Sequence, residues 1–589
     1  MTRGIVAGLA LLCAARGTAD ELTSERYPDA DTVIVDDRIE TVYQADGTYV
    51  TTDEEWVKAL TEKGRRALST ISLDYSLRYG KGEIVLVEII GADGKARAVD
   101  FAKTLKEATD NSASSMNIYD PLDKTLSCAV PGLKVGETRH VITRREATKS
   151  RVKDQWADID LFESTDPIVR TSVKIDGPLS RPLRNIAVRH PLGNMESSVV
   201  TNGERVVYTW TAKDSPQMFP EPSMPPFWTQ GQHLRVSTAE SWPQLSKWYW
   251  ELSLPHLEKT NAAMSNKVEE IVRATNRDTQ AASLDLVKAI YKFVSQEVRY
   301  MGLTMEDTSP GYAPHDVSLT FDNRYGVCRD KAALLVAMLR MAGIDAWPVL
   351  INVGPRKDPD VPQPYFNHAI VAADSGDPAD PYLLMDPTSE TTRSLLPEYL
   401  CEMSYLVARD EGEGIRETPP LPVEQNLLRA ETVYTLHADA SADVTTTLSF
   451  AGVNDAAYRG YFASISRDAI RAFFERLLAG IPGAVLTGWE VRPAPEALRT
   501  SPEPLSVRLD YAIAEAARGA EDGRAALLDL PTVPAALAIA SRVVGDLGLE
   551  KRRFPLVTDY PCGWEETVEI RLPDGVTLSP ESAAERQPE

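Results

Sequence analysis

The sequence YGVCRDKAALLVAMLRMAG occupies residues 325–343 of a 589-residue chain and decides the fold of the region around it. From residue 332 to residue 342, every side chain except Arg340 is apolar. A run of this length and composition predicts a helix that is buried on all sides. Gly343 follows directly and is a typical residue at a helix C-terminus.

Cys328 falls at or next to the predicted N-terminus of this helix. Unpaired backbone N–H groups and the positive end of the helix dipole stabilise a thiolate there and lower its pKa. The same N–H groups could stabilise an oxyanion. Arg329 and Lys331 are expected to add to the positive potential, and Asp330 is interpreted as a structural residue. A lone cysteine at a helix start is usually only a buried small residue, so a catalytic interpretation needs a partner base.

A candidate base, His368, follows 40 residues after the cysteine. The segment 366–373 predicts a strand that begins near this histidine, and the segment 382–387 predicts a second strand. If the two strands form an antiparallel hairpin about Asp377, His368 and Asp386 are each nine positions from its centre. Directly opposed residues share one face of a sheet, with Cβ atoms roughly 5 Å apart. The carboxylate would then hold the imidazole tautomer, with the imidazole facing the thiol.

Four short motifs occur in the order found in one family of cysteine enzymes. They are Arg299-Tyr300, the sequence GVCRDKA at 326–332, the sequence FNHAIV at 366–371, and Asp386-Pro387-Thr388. About residues 285–395 therefore resemble the transglutaminase-like domain of the papain-related enzymes. The resemblance is to the bacterial branch in which a β-rich domain of unknown function precedes this domain, and it extends more loosely over the N-terminal region.

The resemblance implies a central α+β, papain-like domain and acyl-transfer chemistry. Cys328 resembles the nucleophile, His368 the general acid and base, and Asp386 the orienting carboxylate. The chemistry would release an amine from a peptide or protein amide and leave a thioester. The thioester would then pass to water, as in a protease or deamidase, or to a second amine, as in a crosslinking enzyme. No cofactor is implied.

Other candidate residues near this segment carry weaker signals. Tyr300 and Tyr325 could line the cleft, although core packing is expected more often for each. His315 follows a proline and is expected in a surface loop. One thiolate, one imidazole and one carboxylate without an evident fourth ligand do not favour a metal site.

The N-terminal region has the signals of a strand-rich domain. Residues 25–226 combine β-branched runs with Asp-Gly turns, which predict an antiparallel β-sandwich. One strand pair is expected between 138–143 and 206–210. Five prolines within 216–226 predict an extended connector after the last strand.

The remaining chain divides into two further predicted domains. Residues 240–415 form the transglutaminase-like domain, and the aromatic cluster at 242–250 is expected to pack a helix into its core. Residues 420–589 predict a second β-rich domain, in which Ser466 caps a helix that runs to Leu478.

The first 19 residues are typical of a signal peptide. Arg3 supplies a positive start, residues 5–15 are apolar, and small residues precede Asp20. We therefore expect cleavage near Ala19, a periplasmic or secreted protein, and no integral membrane segment after cleavage.

Composition excludes some classes of function. Apolar residues make up 43% and charged residues 25%, which is ordinary for globular proteins. The net charge of -23 repels phosphate backbones, so nucleic acid is not expected as a partner. The oligomeric state cannot be read from these signals.

Two hypotheses remain open. The first is a cysteine-dependent enzyme that acts on peptide or protein amides. The second is a non-catalytic binding or assembly protein whose two β-rich domains contact a partner. The ordered Cys328, His368 and Asp386 favour the first hypothesis, because a protein without the chemistry needs no such set.

Overall fold

The computed structural model describes residues 22–275, 280–303, 311–519, 526–528, 533–543, 548–558 and 561–577. The chain is multidomain, with a β-rich N-terminal region, a central α+β region and a β-rich C-terminal region. The predicted signal peptide, residues 1–19, lies outside the described residues. Within the described ranges, no helix is long and apolar enough to cross a membrane.

The N-terminal region consists mainly of strands. Its elements are β1 (Thr32–Tyr43), β2 (Tyr49–Ala59), α1 (Glu62–Ala67), β3 (Thr70–Ser76), β4 (Gly80–Ile90), β5 (Ala96–Ala98), β6 (Lys106–Thr109), β7 (Ile118–Tyr119), β8 (Asp123–Ala129), β9 (Thr138–Ala147), β10 (Ala157–Leu161), β11 (Ile168–Pro178), β12 (Asn185–Arg189), β13 (Met195–Asn202), β14 (Arg205–Ser215) and β15 (His233–Ser237).

Eight of these strands form one long sheet in the order β13-β14-β11-β1-β2-β9-β4-β5. Neighbouring strands are antiparallel except β1 and β11, which pair in parallel. The expected antiparallel arrangement therefore contains one parallel pair, because a long connection between β1 and β11 returns the chain to the same end of the sheet. The predicted pairing of 138–143 with 206–210 is wrong. These residues lie in β9 and β14, and three strands separate them.

Two smaller sheets, β3-β8-β6 and β10-β15-β12, pack against the long sheet and enclose two hydrophobic cores. The first core joins β2, β4 and β9 to β3 and β8, and includes Val57, Leu73, Val87, Cys128 and Val141. The second joins β1, β11 and β14 to β15 and to the residues that flank β10, and it includes Tyr43, Val173, Trp210, Leu234 and Trp156. The region is thus a sandwich with two cores side by side.

Four carboxylates come together where β1 and β2 face β10. Asp37 and Asp53 are hydrogen-bonded to each other, and Asp158 and Asp160 lie on β10. Burial, reinforced by neighbouring carboxylates, raises the pKa of Asp37 to about 8 and that of Asp53 to about 6. Because the folded state binds more protons than the unfolded chain, these groups reduce stability as the pH rises from the ordinary aspartate range toward 8.

We expect Asp37→Asn to stabilise the protein at pH 8.5, because an amide removes the cost of ionising a half-buried carboxylate. A gain of about 1 kcal/mol would raise the melting temperature by roughly 2–4 °C for a domain of this size. Differential scanning calorimetry at pH 5 and pH 8.5 measures the effect, which should shrink at pH 5. Glu196→Gln, an exposed carboxylate of the same sheet, is the control. An equal effect at both pH values would contradict the assignment.

The central region contains the predicted buried helix. Its elements are α2 (Trp242–Leu257), α3 (Ala262–Ala274), α4 (Gln280–Glu297), β16 (Arg299–Tyr300), β17 (Gly302–Leu303), α5 (Val317–Asn323), β18 (Tyr325–Gly326), α6 (Cys328–Met341), β19 (Ala346–Asn352), β20 (His368–Asp374), β21 (Tyr382–Met385), β22 (Ser404–Val407) and β23 (Arg416–Glu417).

Helix α6 is surrounded by protein, as predicted from its sequence. Every residue from Asp330 to Leu339 is buried. The helix packs against α2, α4 and α5 and against the antiparallel sheet β21-β20-β19-β22-β23. The aromatic cluster at 242–250 lies on α2, where Trp242, Tyr249 and Trp250 are buried in the same core. The expected core role of this cluster is confirmed.

A short strand joins the N-terminal region to the central region. Strand β7 pairs in parallel with β17, and the backbone N–H of Gly302 donates to the carbonyl of Asn117 (3.0 Å). The N-terminal region therefore contacts the chain only 26 residues before Cys328.

The C-terminal region combines a sheet with helices. Its elements are β24 (Leu427–Leu436), β25 (Ala442–Phe450), α7 (Val453–Phe462), α8 (Arg467–Leu478), β26 (Ala484–Arg492), β27 (Ser506–Ile513), β28 (Ala517–Gly519), β29 (Ala526–Leu528), α9 (Pro534–Leu537), α10 (Ile539–Val543) and β30 (Gly563–Arg571). The sheet order is β26-β27-β25-β24-β30. Ser466 caps α8 through the N–H of Ala469, and the predicted end at Leu478 is confirmed.

A C-terminal segment, residues 552–557, returns to the proline-rich connector. The N–H groups of Arg553 and Phe554 donate to the carboxylate of Glu221 (2.7 and 3.1 Å), and Val557 N–H donates to the carbonyl of Ser223 (2.8 Å). These contacts join parts of the chain that are more than 330 residues apart.

Candidate active site

Cys328 is the first residue of α6, and the turn before it is fixed by hydrogen bonds. Asp330 Oδ2 accepts from the N–H of Val327 (3.1 Å), while its Oδ1 accepts from the N–H and the Nδ1 of His315 (2.9 and 3.1 Å). Gly326 is required here, because a Cβ at this position would lie 2.7 Å from the Asp330 Cβ. Asp330 and His315 thus hold the helix start from the side.

Lys331 lies in the first turn of α6 and binds the end of a neighbouring helix. It is fully buried, and its Nζ donates to the carbonyls of Ser295 (3.2 Å) and Val298 (2.5 Å) at the end of α4. Burial lowers the pKa of Lys331 to about 8, although Glu390 and Asp386 oppose the shift. The ammonium group thus binds carbonyls at the C-terminal end of α4, and the contribution of Lys331 to the potential at the thiol stays a prediction.

His368 and Asp386 lie on the predicted hairpin, but its register differs from the prediction. The pairs Val371↔Met385 and Asp374↔Tyr382 place the centre of the hairpin at residue 378, not at Asp377. Asp386 therefore lies just beyond the last paired residue and diagonal to His368, on the same face. The diagonal distance is still within reach, and His368 Nε2 donates to Asp386 Oδ2 at 2.9 Å.

Three residues donate hydrogen bonds to the Asp386 carboxylate, which is completely buried. Besides His368, the Tyr399 hydroxyl donates to Oδ2 (2.8 Å) and the Thr388 N–H donates to Oδ1 (2.9 Å). Burial favours the neutral acid, but the charge and hydrogen bond of His368, with the bonds from Thr388, keep the pKa of Asp386 below its ordinary value. Asp386 is therefore a carboxylate at neutral pH.

Cys328 and His368 are hydrogen-bonded and shift each other's pKa. Burial opposes charge on the thiol, but the hydrogen bond and charge of His368, together with the charge of Arg329, bring the pKa of Cys328 below its ordinary value. Burial also opposes charge on the imidazole, yet Asp386 and Cys328 raise the pKa of His368 to about 10. These directions favour a thiolate–imidazolium pair.

Tyr300 and Ala369 complete the surroundings of the thiol. The parallel pairing of β16 with β18 brings Tyr300 beside Cys328. Its hydroxyl is hydrogen-bonded to the thiol and also accepts from the Cys328 N–H. The N–H of Ala369 donates to the sulfur. Tyr300 thus lines the site, where core packing was expected.

An open cavity of about 360 Å³ exposes Cys328 and His368. Tyr249, Tyr300 and Phe366 of the central region line one part of it. The N-terminal region supplies another wall, which consists of Ser76, Arg78, Tyr79, Ile118, Asp120, Asp123 and Arg151. The candidate site is therefore a cleft between two regions of the chain.

The central sequence matches a family model described as the transglutaminase-like superfamily, over residues 268–380. Residues 268–380 form a transglutaminase-like core. Residues 45–219 match a domain of unknown function with a solved structure (DUF3857). Both parts of the resemblance drawn from the motifs are confirmed. No curated protein is similar enough in sequence to add a further comparison.

One solved structure shows a similar overall fold. A protein from Parabacteroides distasonis, provisionally named a protease, is 14% identical. The match covers 82% of this chain and 93% of that chain, with a TM-score of 0.53. A provisionally named cysteine protease from Cytophaga hutchinsonii is 12% identical, covering 56% and 73% with a TM-score of 0.16. An M1 zinc metallopeptidase from Deinococcus radiodurans is 11% identical, covering 35% and 42% with a TM-score of 0.19. The last two superimpose too poorly to inform on this fold.

The central region brings together all three predicted site residues, and it adds residues that the sequence did not indicate. Tyr399 lies in a short 3-10 helix, residues 398–400, and no motif marks it. Thr388 and Tyr300 stood inside quoted motifs, but only the fold reveals their contacts. Within the described part of the chain, no group of three or more His, Cys, Asp or Glu side chains is placed to hold a metal ion.

Asp386→Asn should abolish most of the thiolate of Cys328 at pH 7, because the charge that keeps His368 protonated is lost. Ultraviolet thiolate absorbance against pH, as the difference from Cys328→Ser, measures this. Asp443→Asn is the matched control, since Asp443 accepts from an exposed histidine, His437, at 3.0 Å. Equal thiolate absorbance in Asp386→Asn and wild type would contradict the electrostatic coupling.

Lys331→Met should destabilise the transglutaminase-like core, because two buried carbonyls lose their donor. The expected cost is about 2–4 kcal/mol, typical of removing one partner from buried hydrogen bonds to a charged group. Urea unfolding measures it. Lys292→Met removes a more exposed hydrogen bond from the neighbouring α4 to the carbonyl of Thr500, and should have little effect. The prediction is wrong if both variants unfold alike.

Proposed function

We propose that this protein is a cysteine-dependent amide hydrolase or acyl transferase that acts on peptides or proteins. The observation that carries the proposal is the continuous hydrogen-bonded series from Asp386 through His368 to Cys328, at a helix N-terminus and open to a cleft. Each shift in pKa along this series favours a nucleophilic thiolate. The likeness to the Parabacteroides distasonis structure, which is provisionally named a protease, concerns the fold and is consistent with this chemistry.

The proposed reaction has two halves. The Cys328 thiolate attacks the amide carbonyl, and a carbon–sulfur bond forms as the carbonyl oxygen takes up negative charge. His368 then gives its proton to the departing amine as the carbon–nitrogen bond breaks, which leaves a thioester. In the second half, neutral His368 takes a proton from water, the hydroxide adds to the thioester, and the carboxylic acid leaves as the thiolate is restored.

Two groups beside the sulfur are suited to stabilise the oxyanion. The Cys328 N–H belongs to the first turn of α6, and the Tyr300 hydroxyl accepts from it. A carbonyl oxygen that enters this position would displace the accepting role of the hydroxyl and receive hydrogen bonds from both groups. Fixed donors of this kind contribute strongly to acyl transfer.

Hydrolysis is the proposed main outcome, because the cleft is open and water is then the most available acceptor. A competing amine tests this choice. Addition of hydroxylamine to a reacting peptide should yield a minor hydroxamate product beside the carboxylate, as measured by mass spectrometry. A product that consists entirely of amine adduct would favour crosslinking instead.

We also propose that the protein acts outside the cytoplasm, on the basis of the apolar segment within residues 1–19. Fractionation of cells that produce the full chain, followed by N-terminal sequencing of the product, tests this. Cleavage near Ala19 in the exported fraction is the expected result. An uncleaved cytoplasmic product would count against export without affecting the proposed chemistry.

The thiol itself provides the first test of the enzyme. Iodoacetamide should label Cys328 rapidly well below about pH 8.5, the ordinary cysteine pKa, and labelling should slow by about tenfold or more at pH 6.5 in His368→Ala. Peptide mass spectrometry reads each cysteine separately. Cys562, which is partly exposed and whose pKa is raised by burial, serves as the internal reference.

His437→Ala is the matched variant, since it removes an exposed histidine that also pairs with an aspartate. It should leave the labelling of Cys328 unchanged. Labelling of Cys328 that follows the pH profile of an ordinary thiol in wild type would reject the enzyme. The binding or assembly hypothesis would then be the better account of the chain.

A further inference from the structure

A short basic segment stands out in an acidic chain. Residues 144–153, RREATKSRVK, contain five cationic side chains and one carboxylate, whereas the whole chain carries a net charge of -23. The segment covers the end of β9 and the connection to β10. The proposed reaction does not use it.

This segment lines a second cavity, of about 310 Å³, beside the cleft that contains Cys328. Arg145, Lys149 and Arg151 border the second cavity. Ser76, Tyr79 and Arg151 border both cavities, so the two form one continuous groove. Arg151 therefore stands where the catalytic part of the groove meets its extension.

Arg151 is held in place but is available for a ligand. Its guanidinium lies 5.1 Å from the centre of the Tyr79 ring, which is a cation–π contact. The side chain is exposed, and no carboxylate among the described residues forms an ion pair with it. A guanidinium of this kind can form paired hydrogen bonds with an incoming carboxylate.

None of the carboxylates that line the second cavity forms an ion pair with Arg151. Glu146 pairs with Lys81 (3.5 Å) and Arg144 (3.3 Å). Asp74 accepts from the hydroxyl of Thr125 and is exposed. Asp158 lines the cavity and is partly buried, and burial raises its pKa to about 6. Tyr49, Trp156 and Tyr365 also line the floor, so the cavity combines aromatic faces with a basic rim.

We propose that the groove selects acidic peptides, with Arg151 binding a carboxylate of the substrate close to the amide that Cys328 attacks. The inference rests on the proposed function and adds a substrate class to it. Lys149 and Arg145 lie further along the second cavity and would bind additional acidic residues of the same segment. A neutral or basic segment would leave these cations uncompensated in the groove.

Binding to the Cys328→Ala variant tests the inference without any catalysis. Three dye-labelled peptides of equal length, rich in Glu, Gln or Lys and amidated at the C-terminus, are compared by fluorescence anisotropy. The Glu peptide should bind at least tenfold more tightly than the Gln peptide, and the Lys peptide should bind least. Equal affinity for the Glu and Gln peptides would overturn the proposal.

Substitutions locate the binding site. Adding Arg151→Gln should weaken binding of the Glu peptide about tenfold, as expected for one lost charge-assisted hydrogen-bonded pair, and Arg151→Lys should recover part of it. Lys153→Gln is the control, since Lys153 is exposed on the same segment but does not border the cavity. Equal losses in Arg151→Gln and Lys153→Gln would indicate diffuse attraction and reject a specific role for Arg151.

A free C-terminal carboxylate is an alternative source of the same chemistry. The Gln peptide is therefore also tested with a free C-terminus. If the groove recognises acidic side chains, the Gln peptide with a free C-terminus should bind only slightly more tightly than its amidated form. An increase in affinity as large as that produced by the Glu side chains would reject side-chain recognition. The iodoacetamide profile of Cys328 reports on the enzyme separately, so failure of the groove and failure of the chemistry are distinguishable.

Discussion

Burial of helix α6 constrains the arrangement of the whole central region. An apolar helix that exposes none of its sides must be enclosed, and here α2, α4, α5 and the five-stranded sheet enclose it. Each buried leucine contributes about 1.5–3 kcal/mol through removal from water. The two buried charged residues in its first turn, Asp330 and Lys331, are tolerated because they find hydrogen-bond partners. The position of Cys328 follows, since it is the first residue of this fixed helix.

Electrostatics of the site depend on the same enclosure. Asp386 is removed from solvent but receives hydrogen bonds from three residues, and so it stays ionised in a region of low dielectric. Its charge raises the pKa of His368, and His368 in turn lowers the pKa of the Cys328 thiol. The proposed chemistry therefore depends also on Tyr399, whose hydroxyl donates to Asp386.

The sequence predicts the parts of this structure that rest on local patterns. The apolar run at 332–342, the cap at Ser466 and the two strands of the hairpin all have local signals, and the structure contains them. The predicted register of the hairpin differs from the observed one by two residues. The loop at 375–381 is not symmetric about Asp377, and its internal hydrogen bonds set the turn.

Contacts between residues that are distant in the sequence could not be predicted from local patterns. Nothing local indicates that β1 pairs with β11, that Lys331 reaches the end of α4, or that Tyr399 reaches Asp386. The sequence also did not predict that the N-terminal region forms one wall of the cleft, since the pairing that joins the two regions involves a strand of only two residues, 118–119. Such contacts arise from how the layers meet, and a pattern of apolar and polar residues does not encode them.

Residues 552–557 return to the proline-rich connector, and their hydrogen bonds close a loop of the chain that runs from residue 221 to residue 553. A ribosome releases residue 221 long before residue 553, so this contact is among the last that synthesis permits. Both walls of the cleft precede residue 420 and can meet earlier, without the C-terminal region. Closure of this loop then attaches the C-terminal region to the connector that follows the N-terminal region. If a protease cut one surface loop between residues 221 and 553, these hydrogen bonds would still hold the two fragments together.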